Sequence, residues 1–295
     1  MGSGRGSGLF YVSSYTSAYT SLDAVTWGTA TANGNNTAWN GTVFCSISGS
    51  TALTSPDGVI WTPKGSLPSA SWFRIASNGS IFIALAYGSN IAAISSDNGA
   101  TWQQTTLPIS TYWWSIAWNG SVFCAIAFNS NIAATSPDGI TWTLRTLPVS
   151  AMWRVVASKG TMFCAVADQT SIAIISSDNG ATWQQSTIPT YYGWAAMTSN
   201  ESIFCAVPNL VNAASYSSTV LISSNGQTWT TGYLPLGANW RAIAWNGKVF
   251  CLIAATNNFN QINPNIALTS PDGQNWATQT LPVSDNWQTI TAQYL

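Results

Sequence analysis

Short apolar runs recur along the chain, separated by turn residues, and the stretch from Trp240 to Pro282 shows the pattern most plainly. Trp240-Arg241-Ala242-Ile243-Ala244-Trp245 predicts a first strand. Asn246-Gly247 predicts a two-residue hairpin turn, because both residues tolerate the positive φ that such turns need. Val249 to Ala254 is apolar at every position, which predicts a second strand buried on both faces. Ile266 to Thr269 predicts a third strand, Ser270-Pro271-Asp272-Gly273 a turn, and the stretch from Trp276 to Leu281 a fourth strand. A Leu-Pro pair then predicts the end of the unit, since proline cannot donate to a sheet ladder. Leu67-Pro68, Leu107-Pro108, Leu147-Pro148, Ile188-Pro189 and Leu234-Pro235 stand at the same place in earlier units.

The turn before the fourth strand recurs seven times, ending in Trp27, Trp61, Trp102, Trp142, Trp183, Trp229 and Trp276, at spacings of 34, 41, 40, 41, 46 and 47 residues. A period of about 40–50 residues with four short strands is the signature of a propeller blade. The ends of the chain fit the count. Trp287 to Leu295 supplies a lone first strand, and the N-terminus supplies a second (Leu9 to Ser14), a third (Tyr19 to Leu22) and a fourth (Val25 to Thr29). The expected fold is all-β: a seven-bladed β-propeller of four-stranded antiparallel blades, its ring closed by one blade shared between the N- and C-terminal strands. Residues 1–8, MGSGRGSG, read as a flexible Gly/Ser tail and 9–295 as a single propeller.

The repeated turn, S-x-D-x-G-x-T-W, resembles the Asp-box or BNR repeat of sialidases and many other propellers. Ser95 to Trp102 and Ser176 to Trp183 fit it letter for letter; the other five are one residue shorter. Asp23, Asp57, Asp97, Asp138, Asp178, Asn225 and Asp272 take the Asp position, and Ala24 replaces the first glycine. In such a turn a short Asp or Asn side chain accepts hydrogen bonds from backbone N–H groups, so these residues are expected to be structural. The resemblance further implies that the boxes lie on the face opposite the binding site.

Composition narrows the chemistry. There is no His, which excludes Ser-His-Asp or Cys-His catalysis and any metal site built on imidazole; no metal or other cofactor is expected. Net charge is −1 with eight Lys+Arg, so no basic face exists for nucleic acid. No apolar run approaches the ~18 residues of a membrane span, so no membrane insertion is expected. The five cysteines each follow a Phe in the second strand, with Ile83 and Tyr11 in the same slot of two other blades, and are expected to be free buried thiols.

A second tryptophan row opens the first strands: Trp72, Trp113, Trp153, Trp194, Trp240 and Trp287, with Gly34 at the matching place in the second blade. These rings either pack between blades or rim the channel and stack on sugar rings, and one Trp can do both. Binding residues are sought where the blades differ. From the cysteine register to the box Ser is 10 or 12 residues in blades one to five, but 18 in blade six and 19 in blade seven. The long loops carry Tyr216, Asn257 and Phe259. The connections into blades six and four carry Tyr191, Tyr192 and Trp194, and Tyr112 and Trp114. All eight are candidate ligand-binding residues on one face, suited to a neutral polyol or a protein surface.

The sialidase resemblance raises hydrolysis, which in that family uses three Arg, a Tyr–Glu pair and an Asp acid. Arg154 and Arg241 share a register here, and Arg74 is displaced by one. The only Glu, Glu201, falls on the opposite face, and Asp168 and Asp285 fall in blades five and one, which are not neighbours. No enzyme activity is therefore expected. Units such as TSPDGITWTLRTLPVSAMWRVVAS resemble the propeller repeats of bacteriophage tail and fibre proteins. That resemblance implies a non-catalytic binding propeller on the virion surface, made in the host cytoplasm without a signal peptide and extracellular when functioning. Its expected partners are a host-surface glycan, another virion protein or further copies of itself. A structural decoration or assembly subunit without a ligand is the alternative, and a free-standing lectin comes third. The sequons at Asn35, Asn40, Asn78, Asn119 and Asn200 read as hairpin-turn chemistry.

Overall fold

Each set of four apolar runs folds as an antiparallel meander, and the computed structural model contains seven such four-stranded sheets. It describes residues 8–32, 37–208, 217–255 and 265–294, with the backbone alone for 190–192. The seven sheets are arranged in a ring as the blades of a β-propeller. Six blades are continuous in sequence. The seventh joins Thr289–Ala292 to Phe10–Ser13, followed by Ala18–Ser21 and Gly28–Ala30, so strands from the two ends of the chain pair directly. Numbering starts from this split blade as blade one.

The core is divided among the blade interfaces rather than gathered at one centre. Between blades four and five, Cys124, Ile126 and Leu147 pack against Trp153, Phe163 and Ala165. The second strands are buried almost throughout, Phe123–Ala127 at every residue, because a blade covers each face. All five cysteines are buried free thiols in these layers. Trp113, Trp153, Trp194, Trp240 and Trp287 are fully buried there too, so these five of the row's six tryptophans are packing, while Trp72 is half-buried.

Two local expectations need correction. The first hairpin pairs Trp245 with Phe250, so its central residues are Gly247 and Lys248 and Asn246 stands one place before them. Asn246 Oδ1 accepts hydrogen bonds from the N–H groups of Lys248 and Val249 (3.1 and 3.0 Å). Only the glycine has a positive φ, +91°. Asn40, Asn78, Asn119 and Asn200 cap the same turn in other blades.

Nor does Leu-Pro end the outer strand in the central blades. In blade four that strand runs Thr143–Ala151, straight through Leu147-Pro148. The pairing is interrupted there and resumes, from Ile132 with Thr146 to Ser130 with Ala151. Proline is tolerated because the strand is at the edge, while Leu147 turns inward and is 2% exposed.

The Ser-x-Asp turns close the other end of each blade. In blade five the Ser176 hydroxyl donates to Asp178 (2.7 Å) and accepts from the Gly180 N–H (2.8 Å). Asp178 also accepts from the Thr182 N–H and hydroxyl (2.9 and 2.6 Å). The Trp183 indole N–H donates to the Gly180 carbonyl at 3.1 Å. Asp23, Asp57, Asp97, Asp138, Asn225 and Asp272 make the corresponding bonds. Gly180 has φ +79°, and a Cβ there would lie 2.7 Å from Thr135 Cγ2 of blade four, so this glycine also lets adjacent blades approach.

Candidate binding site at the channel mouth

The first strands line a central channel, and one local device decides what faces its mouth. Trp113 pairs with Ala127 but Ser115 pairs with Ile126, which leaves Trp114 as the extra residue of a β-bulge. A bulge re-aims the side chain it carries. The same shift occurs at Phe73, Arg154, Ala195 and Arg241 in blades three, five, six and seven. Gln288 follows the row tryptophan in blade one. These six residues, together with Arg74, line a cavity of about 610 Å³. The neighbouring tryptophans are fixed by packing, while the bulge position is free to vary, from Phe to Ala to Arg.

On blades three and four the mouth is aromatic. Phe73 and Trp114 lie 4.9 Å apart between ring centroids, Tyr87 and Tyr112 5.1 Å, Phe73 and Tyr87 5.4 Å, and Trp114 and Phe128 4.8 Å. Tyr87 and Phe128 come from the hairpins between second and third strands. Those hairpins are tied to the inter-blade connections by backbone bonds from Tyr87 to Ser71 and from Phe128 to Tyr112, both 2.8 Å. Tyr87 and Tyr112 are 45% and 50% exposed, which leaves them free to meet a ligand.

Around the rest of the mouth the character is cationic. Arg74 donates from Nε to the Trp114 carbonyl (2.8 Å) and from Nη1 to that of Phe73 (3.3 Å), with its guanidinium 4.0 Å from the Phe73 ring centroid. Arg154 lies over Trp114 at 4.9 Å, and its Nε is 3.6 Å from Asp168 Oδ2. Arg241 donates from Nη2 to Gln288 Oε1 at 3.0 Å. Burial, then the charges of Arg154 and Arg241, push Arg74 down to about 10. Burial and the Arg154 charge also lower Arg241, with a small opposing contribution from Tyr15. Arg74 nonetheless remains a cation at neutral pH.

The acids near this face are committed to structure. Asp168 accepts the Trp194 N–H at 2.6 Å, and burial raises its pKa against the pull of that bond and of Arg154. Asp285 accepts from the hydroxyls of Ser14 and Thr16 (2.6 and 2.8 Å) and from the Asn286 N–H (2.7 Å). Glu201 lines the opposite mouth, a cavity of about 550 Å³ that also contains Trp39, Trp118, Lys159 and Tyr294.

Of the eight residues proposed from sequence, the structure brings Tyr112 and Trp114 together in the aromatic wing. Trp194 must be withdrawn: at 0% exposure, packed between blades five and six, it has no face for a ligand. Tyr191 and Tyr192 end the outer strand Gln184–Tyr192, and their side chains lie outside the described residues, as do Tyr216, Asn257 and Phe259. Sequence reasoning passed over Phe73, Tyr87 and Phe128, and noted the three arginines only as enzyme candidates. The available signal was the variable residue following each row tryptophan.

These features define a class, the seven-bladed β-propeller, and comparison with solved structures agrees. The chain superposes on a catalytically inactive histidine-to-alanine variant of virginiamycin B lyase from Staphylococcus aureus with quinupristin. The TM-score is 0.64 at 12% identity, covering 95% of this chain and 87% of that one. It matches apo AztD from Citrobacter koseri with a TM-score of 0.64 at 8% identity over 97% and 98% of the two chains. It matches YCF48 bound to a D1 peptide with a TM-score of 0.64 at 13% identity over 84% and 85%. At these identities the likeness shows the fold alone. No known family and no curated protein matches the sequence.

Proposed function

We propose that this chain is a non-catalytic binding propeller that holds a glycan at the channel mouth formed by the bulge residues. The observation that carries the reading is the aromatic wing. Two half-exposed tyrosines stand beside Trp114 and Phe73 above a cavity of about 610 Å³, and aromatic faces suit the C–H faces of sugar rings. The resemblance of the repeats to the Asp-box and to the propeller repeats of phage tail and fibre proteins favours a setting on a virion surface, with a host glycan as the target. A peptide is the second reading, since YCF48 binds one on the same fold.

Catalysis has little to work with. Glycoside hydrolysis takes two carboxyl groups at a separation of ~5–9.5 Å, one to protonate the leaving group and one to attack or activate water. Here Asp168 and Asp285 are each engaged in structural hydrogen bonds. The lyase comparison brings no mechanism with it, because that enzyme is inactive when a histidine is replaced and this chain has none.

The test is a glycan array probed with the wild-type protein and with a Tyr87→Ala/Tyr112→Ala variant. Binding to a defined set of glycans, weakened roughly tenfold or more in the folded variant, is expected. A blank array, or binding that the variant retains in full, would reject the reading.

A further inference from the structure

The opposite mouth of the channel holds a cavity of about 550 Å³ for which the glycan reading has no use. Hairpins between first and second strands build most of it, and its rings come from blades one, two and four. Trp39 ends the strand Thr37–Trp39, Trp118 ends Trp113–Trp118, and Tyr294 follows Thr289–Ala292. Trp39 is braced on Phe44 and Trp118 on Phe123, each pair 4.7 Å apart between ring centroids. All three rings are half-buried, so each is held in place and still offers a surface to the cavity.

Two charged residues line this cavity, Lys159 and Glu201, on neighbouring hairpins of blades five and six. They do not pair with each other: the one ion pair among the described residues is Arg154 with Asp168, at the other mouth. The Glu201 carboxylate accepts a hydrogen bond from the Tyr294 hydroxyl at 3.3 Å, and the Lys159 ammonium lies 5.9 Å from the centroid of the Phe204 ring. Polar groups around them tie the hairpins together. The Ser158 hydroxyl donates to the Trp118 carbonyl at 2.6 Å, and the Ser199 hydroxyl donates to the Ser158 carbonyl. Asn119 Nδ2 donates to the Thr161 carbonyl at 3.0 Å and to Asn179 Oδ1 at 2.7 Å. Blades four, five and six are thus laced to one another at this mouth, which fixes the hairpins that carry Trp118, Lys159 and Glu201.

We propose that this mouth is a second binding site, for a small zwitterion with an amino group and a carboxylate on an apolar body, the chemistry of a free amino acid or a short peptide. Glu201 takes the amino group, Lys159 the carboxylate, and the rings of Trp39, Trp118 and Tyr294 the apolar body. A neutral ligand would leave both charges without partners. A ligand of one sign would meet one attraction and one repulsion. A zwitterion satisfies both, and its ammonium gains further from the faces of the rings. The volume falls in the range of small-molecule sites. The site goes beyond the glycan reading and does not rest on it: the ligand is different and binds at the other end of the channel.

Calorimetric titration of the intact protein tests the site. The probes are the free amino acids phenylalanine, tryptophan and leucine, and the di- and tripeptides built from them. At least one should bind. Its N-acetylated form, which lacks the ammonium, and its C-terminal amide, which lacks the carboxylate, should each bind on the order of tenfold more weakly. Glu201→Gln should no longer distinguish the free probe from its N-acetylated form, and Lys159→Gln should no longer distinguish it from the amide. Glu201 is exposed and Lys159 half-buried, so both unliganded variants should unfold at the wild-type temperature, which checks that they fold.

A response to single amino acids, or only to peptides, identifies which source the site takes. No binding of any probe, by heat or by a shift in the thermal transition, would overturn the site. Blocked forms that bind as well as the free probe, or variants that keep full discrimination, would overturn it too. A blank glycan array bears on the other mouth alone and leaves this result as it stands.

Discussion

Single residues in this fold are fixed by the approach of one blade to the next. Gly180 and Gly226 show this, with φ of +79° and +71° and with the space for a Cβ already taken by Thr135 Cγ2 at 2.7 Å and by Ile175 Cδ1 at 2.5 Å. Replacing either with alanine is predicted to destabilise the protein by about 1–3 kcal/mol through overpacking, on top of backbone strain. Gly160→Ala, at φ +54° with nothing within 4 Å, is predicted to lose only about 1 kcal/mol. Chemical denaturation of the three variants checks the order. The thiols give a second test. Burial raises the Cys45 thiol to about 12 and the other four further, so a thiol reagent at pH 8 should leave the native protein unlabelled. Unfolding should release five equivalents. The small buried character of these cysteines was legible because they alternate with Ile83 and Tyr11 at one register. The nesting of Gly180 against Thr135 was not, because sequence gives no inter-blade distance.

Elements carry the pH dependence. Desolvation raises the Asp178 and Asp272 carboxyls, but the opposing hydrogen bonds outweigh it, from Thr182 and Ser176 in one turn and from Asn275, Gln274 and Ser270 in the other. Both end at about 2, below the ordinary 3.8. A carboxyl depressed by folding stabilises the native state above its unfolded pKa, and this contribution is lost as pH falls through the folded value. Denaturation midpoints are therefore predicted to drop between about pH 4 and pH 2. Asp168, raised by burial, works in the opposite direction and at higher pH: its contribution is regained as pH falls from its folded value toward the ordinary 3.8, above the window of the drop. Asn225 already makes the same two backbone bonds without a charge, at 2.9 and 2.8 Å, so Asp272→Asn should lose little at pH 7 and flatten the acid limb. Strand order and the turns were readable from apolar runs and punctuation. The path through Leu-Pro was not, because proline looks the same whether an edge strand ends or merely interrupts its pairing.

At the scale of the molecule, the ring is held by strands from opposite ends of the chain. Ser13 O accepts from the Gln288 N–H at 3.0 Å and Leu9 O from the Gln293 N–H at 2.8 Å, with Trp287 fully buried beside them. Trp287→Ala is predicted to lose about 3–5 kcal/mol, read from the urea midpoint. The seven-fold count and this closure followed from the repeat alone. The site followed less well: long loops in blades six and seven drew attention by their length, whereas the bulge positions differ by substitution at constant length. Trp194 misled because the same residue type serves packing and binding, and only burial tells the two apart.

The central claim is that ligand sits at the bulge-lined mouth, and a crystal structure of the protein with its best array glycan tests it most directly. The account predicts a sugar ring against Tyr87, Tyr112 and Trp114. Ligand at the opposite mouth, among Trp39, Trp118 and Tyr294, would contradict it.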